Sequence, residues 1–550
     1  MKRFALVMFS VLTALLAHRA VYGLMYQDTL DRQSQYDLLV RILPIDHRIR
    51  VTGKWKQPAA SAAKDQIEFF LSPKMEGLEV RLLEPKACAP LNLQSSKEDG
   101  GDTKWIFKPA QPIPAGQSVL LEFSYTSDGK PAPQFNVSTE GSFAGGGGEL
   151  WYPQVAYKNR EIGTLRFIAP AGETVISNGL LASNAEQRAG GEFIFHVTEP
   201  SKFAFASGKY VVARRPGKVP FNLYLLRPRA NAQTILEGCA RALNSLTNLF
   251  GEFPNREFSL VEVNFPTLVR GTSEFGLIFA DRSKLDEFDL SYWAHELGHQ
   301  WWGNRVRSAA NTTGQMMLSE GVTQFGALQA IEAVEGPAAA EEFRRSGYHG
   351  KGQSAASYFR LIQSGADFPL ISYIPKNQDE TLAMHQLANT KGFILLDMLS
   401  QRIGREKFAA ILRRFIRLKT NQTTSWQEFQ QAIEVGAGQD IHWFFEQWFA
   451  RTGAPDYQLT WSRDGKTVRG VIKQPAPHFR ATLEVEINGN GHRLLRTIDI
   501  VGGLTEFNWR TPFIVNSVTL DPHFKVLRWL PEFRTKRLFL NDRQRRPEGL

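Results

Sequence analysis

The chain has 550 residues, more than one hydrophobic core usually serves, so several domains are expected. Hydrophobic residues make up 43% and charged residues 22% of the sequence, which excludes a wholly disordered protein. The formal net charge of +10 permits contact with anionic surfaces, but no basic patch is interleaved with aromatic residues. We therefore predict no nucleic-acid partner.

The first 23 residues have the pattern of an export signal. Lys2 and Arg3 precede the uncharged stretch FALVMFSVLTALLA, which is shorter than the roughly 20 apolar residues of a membrane-spanning helix. Such a pattern predicts a secretory signal peptide over 1–23, with an uncleaved membrane anchor as the alternative. We expect the protein to be exported to the periplasm or the extracellular space, and any membrane association to run through this segment.

Cys88 and Cys239 are too few for a disulfide framework and are expected to be free core residues.

Residues 24–217 are predicted to form an N-terminal antiparallel β-domain. Short stretches rich in β-branched and aromatic residues, such as YDLLVRILP, QIEFFLS and VLLEFSYT, are separated by Pro, Gly and Asp, which is typical of strands joined by turns. The four glycines at 145–148 predict a mobile loop, with a role facing the substrate as the alternative.

The periodicity changes to that of a helix near residue 230. ANAQTILEGCARALNSLTNLFGEF places apolar residues on one face, and helical segments dominate from 288 to 450. Strand-like stretches, among them TVRGVIKQ and ATLEVEIN, return after Pro455. The sequence thus predicts a mainly helical domain over 218–453, a C-terminal β-sandwich over 454–533 and a basic tail over 534–550.

The stretch WAHELGHQWWGN carries His295, Glu296 and His299 in the order H-E-x-x-H. Ser291 is predicted to cap a helix that runs through it. Because residues i and i+4 share one face of a helix, the two histidines can bind one zinc ion. Glu296 lies about 100° around the helix axis. That position suits a general base acting on a water better than a third metal ligand.

A catalytic zinc site needs a third protein ligand from another segment. The stretch MMLSEGVTQFGALQAIE offers Glu320 near the start of a helical pattern. We therefore predict one zinc ion per chain, bound by His295, His299 and Glu320, with a fourth position left for water.

At these residues the sequence resembles the gluzincin aminopeptidases, the family of aminopeptidase N and leukotriene hydrolase. HELGHQWWGN followed by LSEG is similar to the family's zinc signature, and HWFFEQWFARTGAPDY, YDLLVRILP, LWYPQ and ISNGLLA resemble other segments of it. The resemblance covers nearly the whole chain after the signal. It implies a multidomain α+β fold with an N-terminal β-domain, a thermolysin-like, mainly helical catalytic domain and a C-terminal β-sandwich. It includes no counterpart of the family's large C-terminal helical domain.

Two departures from the family concern spacing and substrate binding. Twenty residues separate His299 from Glu320, two more than in the family, and the loop at 308–315 is expected to absorb them. The family's G-x-M-E-N segment, which binds the free amino group of the substrate, appears here as GTSEF. It keeps Gly271 and Glu274, so the resemblance implies that these residues bind the N-terminal ammonium of a peptide. The alternative is that Glu274 is a solvated carboxylate on a loop and has no role in substrate binding.

The third departure concerns a catalytic tyrosine. The family's Y-x-K-G tyrosine hydrogen-bonds the oxyanion opposite the zinc, and Asn389 of NTKG stands in its place. An Asn amide donates a hydrogen bond but is shorter than a phenol. Loss of one oxyanion donor typically costs on the order of 10²–10³ in rate. Asn389 is accordingly assigned to the oxyanion side, with His385, Tyr373 and Tyr358 as substitute donors.

Together these residues imply a zinc metallo-aminopeptidase that hydrolyses N-terminal residues from peptides. Glu296 would take a proton from the attacking water and pass it to the leaving amine. Two alternatives stay open. A zinc-binding pseudopeptidase that binds peptides or a partner protein is favoured by Asn389, and a zinc hydrolase that requires no free N-terminus is favoured by the altered GTSEF segment.

Overall fold

The computed structural model describes residues 34–97, 103–155, 160–182, 191–267 and 270–533. The predicted signal peptide or anchor at 1–23 and the basic tail at 534–550 lie outside these residues. The chain forms two compact units, one of residues 1–232 and 257–286, the other of residues 233–256 and 287–550. The predicted domain boundaries stay predictions. Within the described ranges, no helix has the length and apolar character that crossing a membrane requires.

The first unit consists mainly of strands. In chain order they are β1 (Gln35–Leu43), β2 (Arg48–Gln57), β3 (Ile67–Leu71), β4 (Met75–Glu84), β5 (Leu91–Lys97), β6 (Thr103–Pro109), β7 (Val119–Ser127), β8 (Phe135–Asn136), β9 (Ser142–Ala144), β10 (Glu161–Ile168), β11 (Thr174–Ser177), β12 (Leu180–Leu181), β13 (Glu192–Ser201), β14 (Phe205–Gly208), β15 (Val211–Arg215), β16 (Phe221–Leu225), β17 (Phe258–Val263), β18 (Gly271–Glu274) and β19 (Leu277–Asp281).

These strands form four sheets, of which the largest has the order β12-β13-β10-β1-β2-β7-β4. Side chains alternate between the two faces of a strand, and β1 accordingly buries Tyr36, Leu38, Val40 and Ile42 in the core. The predicted N-terminal β-domain is confirmed, and its strand pairs in this sheet are antiparallel except β1 with β10. Parallel strands need a long crossover connection, and residues 44–160 lie between these two strands.

Three smaller sheets complete the first unit, with the orders β11-β14-β9-β8, β3-β6-β5 and β15-β16-β17-β19-β18. The last is mixed, because β16, β17 and β19 run parallel while β15 and β18 pair antiparallel at its edges. It places β18, the strand of the GTSEF segment, beside β19 with Glu274 opposite Leu277.

Helices dominate the second unit up to residue 450, as the sequence predicts. In chain order the helices are α1 (Ala232–Phe250), α2 (Arg282–Asp286, in the first unit), α3 (Leu290–Gly298), α4 (Val322–Glu335), α5 (Pro337–Ser346), α6 (Ala355–Gln363), α7 (Gln378–Leu387), α8 (Phe393–Ile403), α9 (Arg405–Lys419), α10 (Trp426–Ala437) and α11 (His442–Phe444). Three π-helical turns interrupt them: Met317–Gly321, Ala388–Gly392 and Phe445–Phe449. Two short strands, β20 (Val306–Ser308) and β21 (Gln422–Thr424), pair in parallel.

The C-terminal strands form two antiparallel three-stranded sheets. They are β22 (Gln458–Asp464), β23 (Thr467–Lys473), β24 (Ala481–Gly489), β25 (His492–Ile500), β26 (Leu504–Arg510) and β27 (Ser517–Leu520). The orders are β22-β23-β26 and β25-β24-β27. Leu483, Val485 and Ile487 of β24 are buried at alternate positions, which is the pattern that predicted this strand. The sequence patterns above did not identify β26.

Candidate metal centre

Helix α3 presents the H-E-x-x-H motif. Its N-cap is Asp289, whose side chain accepts a hydrogen bond from a first-turn backbone N–H at 3.1 Å. The predicted cap, Ser291, instead donates its hydroxyl to Asp289 at 2.6 Å, because the aspartate already occupies the capping position and its charge is favourable at a helix N-terminus. The helix also ends earlier than predicted, with His299 as its C-cap residue.

The glycine within the motif lets α3 approach α4 closely. A β-carbon on Gly298 would lie only 2.9 Å from Cγ2 of Thr323, too short for a real contact. Trp293, Trp301 and Trp302 are buried on either side of it and anchor the ends of the motif in the core. The packing therefore fixes the orientation of the two histidines.

The structure brings the three predicted metal ligands together. The Nε2 atoms of His295 and His299 are 3.1 Å apart. Oε2 of Glu320 lies 3.3 Å from the Nε2 atom of His295 and 3.8 Å from that of His299. One ligand atom from each residue thus falls within 4.8 Å of the other two.

The hydrogen bonds behind the histidines indicate which ring nitrogens are available to a metal. Nδ1 of His295 bonds to Oε1 of Gln324 at 2.7 Å, and Nδ1 of His299 bonds to the carbonyl oxygen of Trp302 at 3.0 Å. Because both partners are acceptors, Nδ1 of each ring carries a proton, which leaves Nε2 of each ring as the atom available to a metal. Two Nε2 atoms and a carboxylate that converge in this way fit a zinc ion.

Sequence reasoning missed both of these supporting groups. Gln324 follows Glu320 by four residues, and this helical spacing was the available signal. The Trp302 carbonyl could not be predicted, because it depends on how the chain turns after α3.

The electrostatic surroundings keep Glu320 ionised. Burial raises the pKa of its carboxyl group, but the charge of His299 and hydrogen bonds from His295 and His385 outweigh burial and hold the pKa well below its usual range. An ionised carboxylate is the form that binds a metal.

The charge of Glu296 acts on His385, which lies 3.3 Å from Glu320. Burial lowers the pKa of His385, but its hydrogen bond to Glu320 and the negative charges of Glu320 and Glu296 outweigh this effect and raise the pKa. Glu296 is therefore within electrostatic reach of a residue that contacts Glu320, as a base working beside the metal ligands requires.

Glu320 and Asn389 both lie in π-helical turns, Met317–Gly321 and Ala388–Gly392. Such turns are rare and often occur at functional sites. Here they face each other, and Nδ2 of Asn389 donates to Oε2 of Glu320 at 3.3 Å. The structure thus places Asn389 against a predicted metal ligand, and its role on the oxyanion side stays a prediction.

The predicted substrate-binding segment belongs to the first unit. Gly271 begins β18 and Glu274 ends it. The Glu274 side chain is buried, and its Oε1 accepts a hydrogen bond from the Gly146 N–H at 2.9 Å. Burial raises the pKa of Glu274, while hydrogen bonds from Gly146 and Gly147 and the charge of Arg160 act in the opposite direction.

Two glycines of the loop at 145–148 make defined contacts, and the mobility of the loop stays a prediction. Gly145 donates to the carbonyl oxygen of Gln134 at 2.8 Å, and the next glycine is tied to Glu274. A β-carbon on Gly146 would lie 2.9 Å from Oε2 of Glu274 and 2.6 Å from Cβ of Lys202. Glycine is therefore required for this close approach, and the loop forms a cradle for the carboxylate.

Comparison with known families agrees with this geometry. Residues 286–448 match the model of the peptidase family M1 domain. A segment of 190 residues is 24% identical to aminopeptidase N of Haemophilus influenzae and makes up 34% of this chain and 20% of that protein. The match thus spans about a fifth of the length of this curated relative.

Two solved structures share the fold. Aminopeptidase A of Legionella pneumophila, solved in complex with aspartic acid, superimposes with a TM-score of 0.65 and 16% identity, over 90% of this chain and 59% of that chain. An M1 zinc metallopeptidase from Deinococcus radiodurans gives a TM-score of 0.60 and 16% identity, over 77% of this chain and 95% of that chain. The predicted multidomain α+β fold is thereby confirmed. Residues 286–448 form a peptidase family M1 domain, and the predicted relationship to the gluzincin aminopeptidases is confirmed.

Proposed function

We propose that this protein is a zinc metallo-aminopeptidase that removes N-terminal residues from peptides outside the cytoplasm. The observation that carries this proposal is the convergence of the His295, His299 and Glu320 ligand atoms, with both histidine Nδ1 atoms bonded to acceptors. The peptidase family M1 match over the segment that holds these residues supports the same reaction class. Export is supported by the basic and apolar pattern of residues 1–23.

The chemistry follows from the residues present. His295, His299 and Glu320 would hold one zinc ion per chain, which supplies Lewis acidity when bound, polarising a peptide carbonyl and acidifying water. Glu296 accepts a proton from the attacking water as the new C–O bond forms. The same carboxyl group then gives that proton to the amine as the C–N bond breaks, which releases an amino acid and a shortened peptide.

Glu274 would select substrates that have a free N-terminus. Its carboxylate is buried, and an ammonium group that reaches it would form a charge-assisted hydrogen bond with little competition from water. The order of GTSEF and the zinc motif along the chain, which is that of the family, supports this assignment together with Gly271.

A zinc hydrolase that requires no free N-terminus is the second candidate. The same carboxylate favours it, because Oε1 of Glu274 already accepts the Gly146 N–H and burial raises the pKa of the group. Both effects reduce its attraction for an ammonium ion. A zinc-binding pseudopeptidase is the third candidate, and Asn389 in place of the tyrosine favours it.

One set of assays separates these candidates. The purified chain is analysed for bound metal and then tested on a peptide and on its N-acetylated form. An aminopeptidase releases the first residue of the free peptide only, and Glu274→Gln should raise its KM for that peptide. Equal cleavage of both forms would support the second candidate. Bound zinc with no cleavage of either form would support the pseudopeptidase.

A further inference from the structure

The Asn389 side chain is already engaged away from any substrate. It is 1% exposed, and its amide donates to Oε2 of Glu320 at 3.3 Å and to the carbonyl oxygen of His385 at 3.1 Å. An Asn amide has two N–H groups, so both are used. Asn389 therefore supports Glu320, and a donor to the oxyanion has to come from another residue.

The two tyrosines named as substitutes are also engaged. Tyr358 is fully buried, with its hydroxyl 3.0 Å from Oδ2 of Asp367 and 2.9 Å from the carbonyl oxygen of Gly453. Tyr373 donates its hydroxyl to Oε2 of Glu380 at 2.7 Å. Each phenol has a single proton to donate, and each proton already has an acceptor.

His385 combines contact with the ligand cluster and exposure to solvent. It lies in the last turn of α7, one turn before Asn389, and its Nε2 is 3.3 Å from Oε2 of Glu320. Its side chain is 44% exposed, whereas that of Glu320 is 14% exposed. An imidazole at this position stands at the border between the ligand cluster and the solvent from which a substrate arrives.

The number of hydrogen bonds that Glu320 can accept also favours His385 as the donor. Oε2 lies within 3.8 Å of His295 and His299 and within 3.3 Å of His385 and Asn389. A carboxylate oxygen has about two lone-pair sites. The four nitrogens around Oε2 therefore exceed what this oxygen can accept. The Asn389 amide is held in place by burial, whereas the partly exposed His385 can exchange its bond to Glu320 for a bond to another oxygen at the ligand cluster.

We infer that His385 donates its Nε2–H to the carbonyl oxygen of the scissile peptide as negative charge develops there. The inference rests on the proposed peptidase function. A neutral imidazole with its proton on Nε2 is sufficient for this role. In this chain a histidine one helical turn away thus takes over from the tyrosine, and Asn389 becomes a residue that positions Glu320.

The test uses the zinc-loaded full chain and the variants His385→Ala, Asn389→Ala and Tyr373→Phe. His385→Ala should keep its zinc and lose kcat by roughly 10²–10³-fold with a smaller change in KM, because the lost bond belongs to the transition state. Its affinity for a phosphinic dipeptide, a tetrahedral analogue measured by calorimetry, should fall by a similar factor. Asn389→Ala should bind zinc more weakly, and Tyr373→Phe should match the wild type.

Loss of zinc from His385→Ala would overturn the inference, because His385 would then be a metal ligand or a support for Glu320. Unchanged kcat and unchanged analogue affinity in this variant would overturn it as well. If the wild type binds zinc but hydrolyses no peptide, the proposed function fails. The analogue affinities of the wild type and His385→Ala still decide whether His385 contacts the tetrahedral oxygen.

Discussion

The Nε2 atoms of His295 and His299 face each other at 3.1 Å, while the Nδ1 atom of each ring is bonded to an oxygen acceptor. The two Nε2 atoms and the Glu320 carboxylate therefore form a set of ligand atoms suited to a metal ion. It follows that metal binding should stabilise the folded chain, because a ligand that binds only the folded state adds RT ln(1 + [L]/Kd) to stability.

The first prediction concerns the third ligand. His295→Ala and Glu320→Ala should each lose zinc on dialysis, because two protein ligands rarely retain a catalytic metal. His442→Ala is the control, since this exposed histidine pairs with Glu434 at 3.0 Å on another helix. Metal analysis should find about one zinc per wild-type chain, as expected for one three-ligand site. Full occupancy in Glu320→Ala would show that the third ligand lies elsewhere.

The second prediction concerns the support behind His295. Gln324→Leu removes the acceptor that lies 2.7 Å from Nδ1, so the ring loses its fixed tautomer. Zinc affinity should fall by roughly 10–100-fold, the usual effect of losing such a partner. Gln324→Glu keeps an acceptor and should restore most of the affinity in a competition titration with a chelator. Equal affinities for Gln324→Leu and the wild type would show that this hydrogen bond does not orient the ligand.

The third prediction concerns the glycine cradle. Gly146→Ala places a β-carbon 2.9 Å from Oε2 of Glu274 and should displace the carboxylate. KM for a peptide with a free N-terminus should rise about tenfold or more, because a hydrogen bond to a charged group contributes ~1.5–3 kcal/mol. Gly147→Ala is the matched control, since its β-carbon would meet nothing within 4 Å. The same KM in both variants would show that Glu274 does not bind the substrate.

The fourth prediction concerns alkaline stability. Burial lowers the pKa of Lys391 from 10.5 to about 8, although the charge of Asp367 acts to raise it. The amine of the unfolded chain keeps its proton up to its ordinary pKa, so between pH 8 and pH 10.5 the unfolded state binds more protons. The free energy of unfolding should therefore increase as pH rises through this window. At about 1.4 kcal/mol per pKa unit, the increase is on the order of 3 kcal/mol.

Lys391→Met supplies the comparison, because it lacks the titrating group while other groups titrate equally in both proteins. The variant also loses the 2.6 Å hydrogen bond from Nζ to the Arg451 carbonyl oxygen, which changes the free energy of unfolding by the same amount at every pH. The difference in urea unfolding free energy between wild type and variant should grow in favour of the wild type from pH 8 to pH 10. A difference that stays flat would mean that Lys391 keeps an ordinary pKa.

The parts of the fold and the site that were predictable depend on local spacing. Alternating burial in β1 and β24, and the shared face of His295 and His299, follow from the geometry of a single strand or helix. Glu320 could be named because the histidine pair required a third ligand and this glutamate lies near the start of the next helical pattern.

The rest depends on contacts between distant segments, which no local pattern contains. The parallel pairing of β1 with β10 joins strands that are far apart in sequence. Asn389 points at Glu320 because two π-helical turns face each other, and the cradle at Gly146 exists because β18 ends beside it. The substitution of Asn389 was visible in the sequence, but its new partner was not.

The central claim is that Glu296 acts on water beside a zinc ion that it does not bind. Glu296→Gln keeps the size of the side chain and removes its capacity to accept a proton. The direct measurement is hydrolysis of a free peptide by zinc-loaded wild type and Glu296→Gln, with metal content determined on the same samples. We predict equal zinc in both proteins, turnover in the wild type and none detectable in the variant. Undiminished hydrolysis by Glu296→Gln, or zinc lost from it, would contradict the account.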